Sequence, residues 1–136
     1  MKKTLLIFIL TFSPLFASDV IHQRQESMQD FNKLMRSATQ MLKIDEIQGL
    51  VEIYEEIETI LLKYPTLFPD DSFDGKTKAS KNIIDNRKDF DQISKNAKEW
   101  AALAKVSAKN NDLESLQQHH QNLFSSCKSC HSRFKN

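Results

Sequence analysis

The residues best suited to chemistry lie near the C-terminal end of the 136-residue chain, in the segment Cys127-Lys128-Ser129-Cys130-His131. Two cysteines separated by two residues and followed by histidine are typical of a c-type haem attachment site. Each thiol can add to one vinyl group of the haem, and the adjacent imidazole can bind the iron. These are the only two cysteines in the chain, so none is left for a structural disulfide.

Two other chemistries use closely spaced cysteines, and the surrounding sequence favours neither. A thioredoxin-type redox pair usually lies at the start of a helix, where the helix dipole lowers a thiol pKa, but this pair lies at the end of a predicted helix. A zinc site needs further ligands at suitable spacing, and His119 and His120 are too far along the helix from Cys127 and Cys130. We therefore predict one covalent haem c, with His131 as an iron ligand.

The N-terminal segment has the pattern of a secretory signal peptide. A basic start is followed by an apolar run from Leu5 to Phe12 and then by the small residue Ala17. The run is shorter than the ~20 residues that a membrane-spanning helix needs, so we expect cleavage after Ala17. This predicts a signal peptide at 1–17, one domain at 18–136 and a location in the periplasm.

Composition and charge exclude several kinds of partner. The chain has 19 Lys and Arg against 18 Asp and Glu, a formal net charge of +1, which becomes −1 when Lys2 and Lys3 leave with the signal peptide. Nucleic-acid binding usually needs a concentrated basic face, which the sequence does not show. No later segment is apolar enough to span a membrane. We expect neither nucleic acid as a partner nor a membrane span in the mature chain.

Apolar residues recur at helical spacing, and only two glycines and three prolines occur. This pattern predicts an all-α domain, namely an antiparallel up-down four-helix bundle with covalent haem near the C-terminus. The predicted helices span about 19–42, 45–64, 80–109 and 112–134. Asp45 is the expected N-cap of the second helix. The connection from Tyr64 to Ala79 is long, and long connections are often functional.

From Arg24 onward the sequence resembles the class II cytochromes c, the cytochrome c′ family. Members of this family are four-helix bundles whose C-x-x-C-H motif is near the C-terminus. The matching stretches are 24–28 in the first helix, 67–69 in the loop, 77–90, 112–113 and 127–134. Three positions depart from the family pattern. Lys81 and Ile84 stand where Pro and Trp are common, and Lys135 stands where Arg is usual.

In that family the residue at the Met28 position separates two groups. An apolar residue that does not bind iron leaves it five-coordinate and open to small gases such as nitric oxide or carbon monoxide. A methionine makes a low-spin, six-coordinate haem suited to electron transfer. The resemblance therefore predicts Met28 and His131 as axial ligands of an electron carrier in the low-spin His/Met subgroup. The gas-binding protein is the alternative, with Met28 as core filler. Met35 lies about two turns further along the same helix and is expected to be a core residue beyond the haem.

Several further residues are assigned from their positions on the predicted helices. Arg24 precedes Met28 by one turn on the inner stripe, where a guanidinium can pair with a haem carboxylate. Phe134 follows Cys130 by one turn and should wall the haem pocket, and His120 should be a hydrogen-bonded core residue. Other candidate wall residues are Phe31, Phe90 and Phe124, and His119 is expected to be exposed.

The sequence offers no group of residues arranged as a catalytic acid, base and nucleophile, so we do not expect an enzyme. The expected partners are redox proteins, whose identity the sequence does not define. A homodimer is common in the family and stays open here, because no outer face carries a strong apolar stripe.

Overall fold

A computed structural model describes residues 15–136, with side chains from Asp19 onward. The predicted signal peptide at 1–17 therefore lies almost wholly outside the described residues, and its cleavage stays a prediction. The helices are α1 (Leu15–Lys43), α2 (Leu50–Lys63), α3 (Asn82–Asp85), α4 (Arg87–Lys109) and α5 (Leu113–Phe134), with a 3-10 turn at Tyr64–Leu67. The part described contains no β-strand, and none of its helices is both long and apolar enough to cross a membrane.

The four long helices form the bundle that the sequence predicts, and their packing is uneven. Helix α4 packs against both α2 and α5, and α1 packs against α2, whereas α1 and α5 meet over only a short length. The short helix α3 leads into α4 through Asn86. This break divides the predicted third helix into two.

The start of the second helix differs from the prediction. Asp45 is not its N-cap, because it adopts the left-handed φ of 54° within the turn that ends α1. The backbone N–H of Glu46 in that turn donates to the carbonyl of Met41 at 2.9 Å. Helix α2 begins after Gly49, whose φ of 88° suits a residue without a Cβ. The sequence pattern did not show this tight turn because its polar residues equally suit a helix start.

The core has two clusters, one at each end of the bundle. The larger packs the four long helices around residues such as Leu50, Tyr54, Leu116 and Leu123. The smaller packs the loop at 64–79 against α4 and α5, and its buried members are Leu67, Phe68, Phe73, Ile83, Phe90 and Phe134. Cys127 packs against the larger cluster and Cys130 against the smaller. The C-x-x-C-H motif therefore lies where the two clusters meet.

One histidine is buried in the larger cluster, as predicted. His120 is hydrogen-bonded to the hydroxyls of Thr39 and Tyr54, each at 2.9 Å. The Thr39 hydroxyl donates to the carbonyl of Met35 at 2.7 Å, so it accepts from Nε2 of His120, and Tyr54 donates to Nδ1. This assigns a neutral imidazole, and burial lowers the pKa of His120 accordingly.

The other histidine prediction on this helix is wrong. His119 is half-buried rather than exposed. Its ring stacks on Trp100 with centroids 6.0 Å apart, and its Nδ1 lies 3.1 Å from the Ser107 hydroxyl. Trp100 on α4 covers the ring of His119, although the helical periodicity of α5 alone places His119 outside the inner face of the bundle.

The loop at 64–79 is fastened across the end of the bundle by hydrogen bonds to its backbone. Arg87 donates to the carbonyl of Phe68 at 2.5 Å. Ser80 N–H donates to the carbonyl of Phe134 at 2.9 Å, and Asn136 N–H donates to that of Lys78 at 2.8 Å. The loop thus packs beside the helix end that carries His131.

Candidate functional site

A cavity of about 640 Å³ opens between α1 and α5, which meet over only a short length. Its volume lies in the ~300–1,000 Å³ range typical of ligand and cofactor sites. Most of its wall is apolar, and every long helix contributes to it. Its lining residues include Arg24, Gln25, Met28, Phe31, Leu61, Tyr64, Phe68, Lys76, Lys78, Phe90, Ile93, Ala97, Cys127, Cys130, His131, Phe134 and Lys135.

Helix α5 brings the three residues of the motif to one side of this cavity. Cys127 and Cys130 are one turn apart and both half-buried, and His131 follows directly. Burial raises the pKa of Cys127, and burial together with the charge of Cys127 raises the pKa of Cys130 to about 11. The thioredoxin-type alternative needs a lowered thiol pKa, whereas the pKa values of both thiols here are raised. Burial lowers the pKa of His131, with the charge of Lys135 adding to the effect, so the imidazole is in the neutral, metal-binding form.

Arg24 lies at the cavity wall with only 4% of its surface exposed. Its Nη2 donates to the carbonyl of Ser72, and its guanidinium lies 4.5 Å from the ring centroid of Phe68. Its Nε and Nη1 are buried without a hydrogen-bond partner among the described residues. A buried charge that lacks an anionic partner is strongly destabilising. A carboxylate of a haem in the cavity would supply that partner, so the residues present fit the predicted haem.

Tyr64 is a wall residue that the sequence analysis missed, because its position suggested only a core contact. Its ring meets the edge of Phe68 with centroids 5.1 Å apart, and Phe68 is also in contact with Arg24. Burial raises the pKa of Tyr64 far above its ordinary value, with the Cys130 thiolate adding to the effect. Its neutral phenol can therefore donate a hydrogen bond into the cavity. The only sequence feature that could have indicated its place in the cavity wall was its position immediately before Pro65, where α2 has to end.

The structure places most of the other predicted wall residues at the cavity, with one exception. Met28 and Phe31 line it from α1, and Phe90 and Phe134 line it from α4 and α5. Phe124 does not, because its side chain is 58% exposed. It follows the buried Leu123 by one residue, and one residue turns the side chain by about 100° around a helix.

The remaining sulfur and nitrogen groups lie elsewhere. Met35, on the same helix as Met28, is buried in the larger core cluster and is absent from the cavity wall, as predicted. His22 pairs on the surface with Glu26 at 3.2 Å. Within the described chain, no cluster of three or more His, Cys, Asp or Glu residues is arranged to hold a metal ion directly.

The helical bundle and the cavity around a C-x-x-C-H motif define the class of helical c-type haem proteins. A family model described as cytochrome c′ matches residues 19–135, so the chain belongs to the cytochrome c′ family. Its cofactor is a single, covalently attached haem c. The family match carries no support for the low-spin His/Met subgroup that the sequence suggested.

Solved structures with this fold are similar over nearly the whole described chain. Cytochrome c′ from Shewanella frigidimarina is 24% identical with a TM-score of 0.82, covering 88% of this chain and 96% of that one. A nitric oxide complex of a variant cytochrome c′ from Alcaligenes xylosoxidans is 18% identical with a TM-score of 0.80, covering 88% and 96%. A cytochrome c′ described as having ligand-controlled dimer dissociation is 18% identical with a TM-score of 0.80, covering 88% and 95%. No curated protein sequence matches the chain.

Proposed function

We propose that this protein binds a small uncharged gas, nitric oxide or carbon monoxide, at a haem held between α1 and α5. The observation that carries the proposal is the composition of the α1 face of the cavity, which lies across from His131. The described residues of that face include no histidine, lysine or carboxylate. Besides Arg24 they are apolar or carry neutral amides, namely Ile21, Gln25, Met28, Gln29, Phe31 and Asn32. Such a wall admits a small neutral molecule. The Alcaligenes xylosoxidans structures with bound nitric oxide support the same function.

Each residue of the site has a role in this proposal. Cys127 and Cys130 tether the haem, and His131 holds the iron from the α5 side. The haem supplies an iron atom that can take one further ligand. Arg24 binds a haem carboxylate through one of the nitrogens that lack a partner. The apolar wall around Phe90 excludes water. The role is binding, and no group in the site acts as a catalytic acid or base.

The second candidate is an electron carrier, and it is favoured by one observation. The residue that lines the α1 face at the expected register is a methionine, Met28, and a thioether can bind haem iron and raise its reduction potential. Gas binding and electron transfer therefore differ in a single bond, between the Met28 sulfur and the iron.

Optical spectra of the ferric and ferrous protein distinguish the two. For gas binding we expect a high-spin ferric spectrum and fast carbon monoxide association. Met28→Leu nearly conserves volume and should change that association rate less than about threefold, which corresponds to ~0.6 kcal/mol in the barrier. Met35→Leu makes the same chemical change in the core, outside the cavity, and is the control.

The opposite result would make the protein an electron carrier. It consists of a low-spin ferric spectrum with a weak far-red band, together with slow carbon monoxide binding that Met28→Leu accelerates strongly while Met35→Leu does not.

We also propose that the protein is exported to the periplasm, since its first 17 residues have a signal-peptide pattern. N-terminal sequencing of protein purified from the periplasm should begin at Ser18. We propose a homodimer as well, because one similar cytochrome c′ is described as showing ligand-controlled dimer dissociation. Sedimentation with and without carbon monoxide measures this directly.

A further inference from the structure

We propose that three lysines around the mouth of the cavity form a docking surface for an acidic electron-donor protein. We call Lys76, Lys78 and Lys135 the lysine rim. The inference rests on the proposed haem function, because it names the partner that would keep the iron in the ferrous state.

The charge at the mouth has one sign. All three rim lysines line the cavity and are exposed. None of them lies within 4.0 Å of a carboxylate in the part of the chain that the structure describes. No Asp or Glu lines the cavity, and the remaining charged wall residue there, Arg24, is buried. A chain with a formal charge of +1 before and −1 after the expected loss of Lys2 and Lys3 thus concentrates positive charge at the entrance to its haem site.

Backbone hydrogen bonds hold the rim in place although its residues come from distant parts of the sequence. Gln25 on α1 donates to the carbonyl of Lys76 at 2.8 Å. Asn136 N–H donates to the carbonyl of Lys78 at 2.8 Å, and an antiparallel bridge pairs Ala79 with Lys135. The three ammonium groups are therefore carried by an ordered backbone.

Two other cations near this end of the bundle are paired. Lys81 lies 2.9 Å from Asp74, and Arg133 lies 2.6 Å from Asp89. These pairs neutralise part of the adjoining surface, whereas the rim lysines and the exposed Lys128 of the motif have no such partner in the part of the chain that the structure describes. An ordinary solvated surface would mix both signs.

The gas itself cannot explain this charge, since nitric oxide and carbon monoxide are neutral. A positive entrance accelerates the approach of an anionic partner by about 10- to 1,000-fold at low salt. Anionic membranes are usually bound by clusters of about four to eight basic residues, more than the rim contains. An acidic patch on a small redox protein suits three lysines better. One electron passes from the donor, which is oxidised, to the ferric iron, which becomes ferrous, and no bond or proton is transferred.

Stopped-flow reduction of the ferric holoprotein tests the proposal. The two probes are reduced flavodoxin, a small acidic one-electron donor protein, and the cationic complex hexaammineruthenium(II). Between about 10 mM and about 150 mM salt the Debye length falls from ~30 Å to ~8 Å. Over this range the flavodoxin rate should fall at least tenfold, and the ruthenium rate should rise.

Two charge-matched double variants locate the effect. Lys76→Glu with Lys78→Glu reverses two rim charges, and Lys43→Glu with Lys109→Glu makes the same change at the other end of the bundle, where α1 and α4 end. The rim variant should reduce the flavodoxin rate at least tenfold at about 10 mM salt and increase the ruthenium rate. The control should change both rates by less than about threefold, since Lys43 lies about 28 Å along α1 from Arg24 at the rise of 1.5 Å per residue, a distance comparable with the ~30 Å Debye length at this salt.

Three results would overturn the proposal. The first is an equal effect of the two double variants on the flavodoxin rate. The second is a lower reduction potential or a loss of haem in the rim variant without any change in the salt dependence, which would mean that the lysines only neutralise the haem carboxylates. The third is co-sedimentation with phosphatidylglycerol vesicles that the rim variant alone loses while its flavodoxin rate is unchanged. The haem spectrum and the carbon monoxide rate, which use neutral probes, test the proposed function separately.

Discussion

At the residue scale, His120 shows how a polar group is accommodated in a helical core. Thr39 and Tyr54 satisfy both ring nitrogens while the imidazole is neutral. A protonated ring would present a second donor to the Tyr54 hydroxyl, whose own proton would then have no acceptor. The buried site therefore favours the neutral form for reasons of hydrogen bonding as well as desolvation.

A pH dependence of stability follows from His120. Its folded-state pKa lies below the ordinary value of 6.5, so the unfolded chain takes up a proton first as the pH falls. The stability contribution is complete above about pH 6.5 and is lost progressively below it. We expect the free energy of unfolding of the holoprotein, measured with urea, to fall less between pH 7 and pH 5 in His120→Gln than in the wild type.

His22→Gln is the matched control for this measurement. The His22 side chain is 68% exposed, and its replacement should leave the wild-type pH slope unchanged. Equal slopes for His120→Gln and the wild type would show that His120 is not the titrating group.

Arg24 is a second buried polar residue, and unlike His120 it keeps donors without a hydrogen-bond partner among the described residues. Its guanidinium contacts Phe68 and Phe73 and donates to Ser72, which fixes its position without neutralising it. The two nitrogens left over, Nε and Nη1, are charged donors that each can bind an anionic oxygen. A residue that looks like an ordinary helix-start arginine in the sequence is thus held ready for an anionic group inside the cavity.

At the scale of elements, the C-terminal segment and the loop at 64–79 stabilise each other. After α5 ends, the Lys135 N–H still donates to the carbonyl of His131 at 3.3 Å, and the segment is held further by its pairing with residues 78–80 at the end of the loop. This pairing closes the smaller core cluster beside Phe134 and fixes the end of the helix that bears His131. A loop of this length would otherwise have few constraints on its conformation.

Deleting Lys135 and Asn136 removes this pairing and tests its contribution. The deletion removes the hydrogen bond from Asn136 to the Lys78 carbonyl and the bridge to Ala79. We expect the free energy of unfolding to fall by about 1–2 kcal/mol, the loss of one or two hydrogen bonds. Lys135→Ala retains the backbone and should stay within ~0.5 kcal/mol of the wild type. A deletion variant as stable as Lys135→Ala would show that the pairing contributes nothing measurable.

At the scale of the whole molecule, the bundle is built around its cofactor. Helices α1 and α5 meet little because the haem site lies between them. The cavity of about 640 Å³ has a mostly apolar wall, and this wall is exposed to water unless the haem covers it. We therefore expect the chain without haem to loosen or collapse around the site.

Replacing Cys127 and Cys130 with alanine tests this dependence. We expect the variant, matured under conditions that load the wild type, to lack covalent haem by intact mass. It should also lose helicity by circular dichroism and melt well below the holoprotein. Ser125→Ala with Ser129→Ala makes two comparable changes at exposed positions of the same helix and should retain haem and stability. Unchanged helicity and melting of the cysteine variant would mean that the haem is peripheral to the fold.

The sequence by itself determined the helices of the bundle and the chemistry of its haem motif. Periodic spacing of apolar residues is a local property, so it located α1, α4 and α5 and showed that Cys127, Cys130 and Phe134 share the inner face. The same reasoning placed Met28 and Phe31 correctly at the cavity and Met35 in the core. It failed for Phe124, because a shift of one residue along a helix turns the side chain away from the cavity. It also failed for the N-cap at Asp45, because that residue lies in a tight turn before the helix begins.

Only the tertiary structure decided which distant segments meet. The unpaired nitrogens of Arg24, the position of Tyr64 in the wall and the lysine rim all depend on how the loop at 64–79 packs against α1 and the C-terminus. No local pattern encodes such contacts, because their partners are separated by tens of residues and their geometry is set by the packing of whole helices. The sequence therefore identifies the cofactor, and the packing determines what surrounds it and what can approach it.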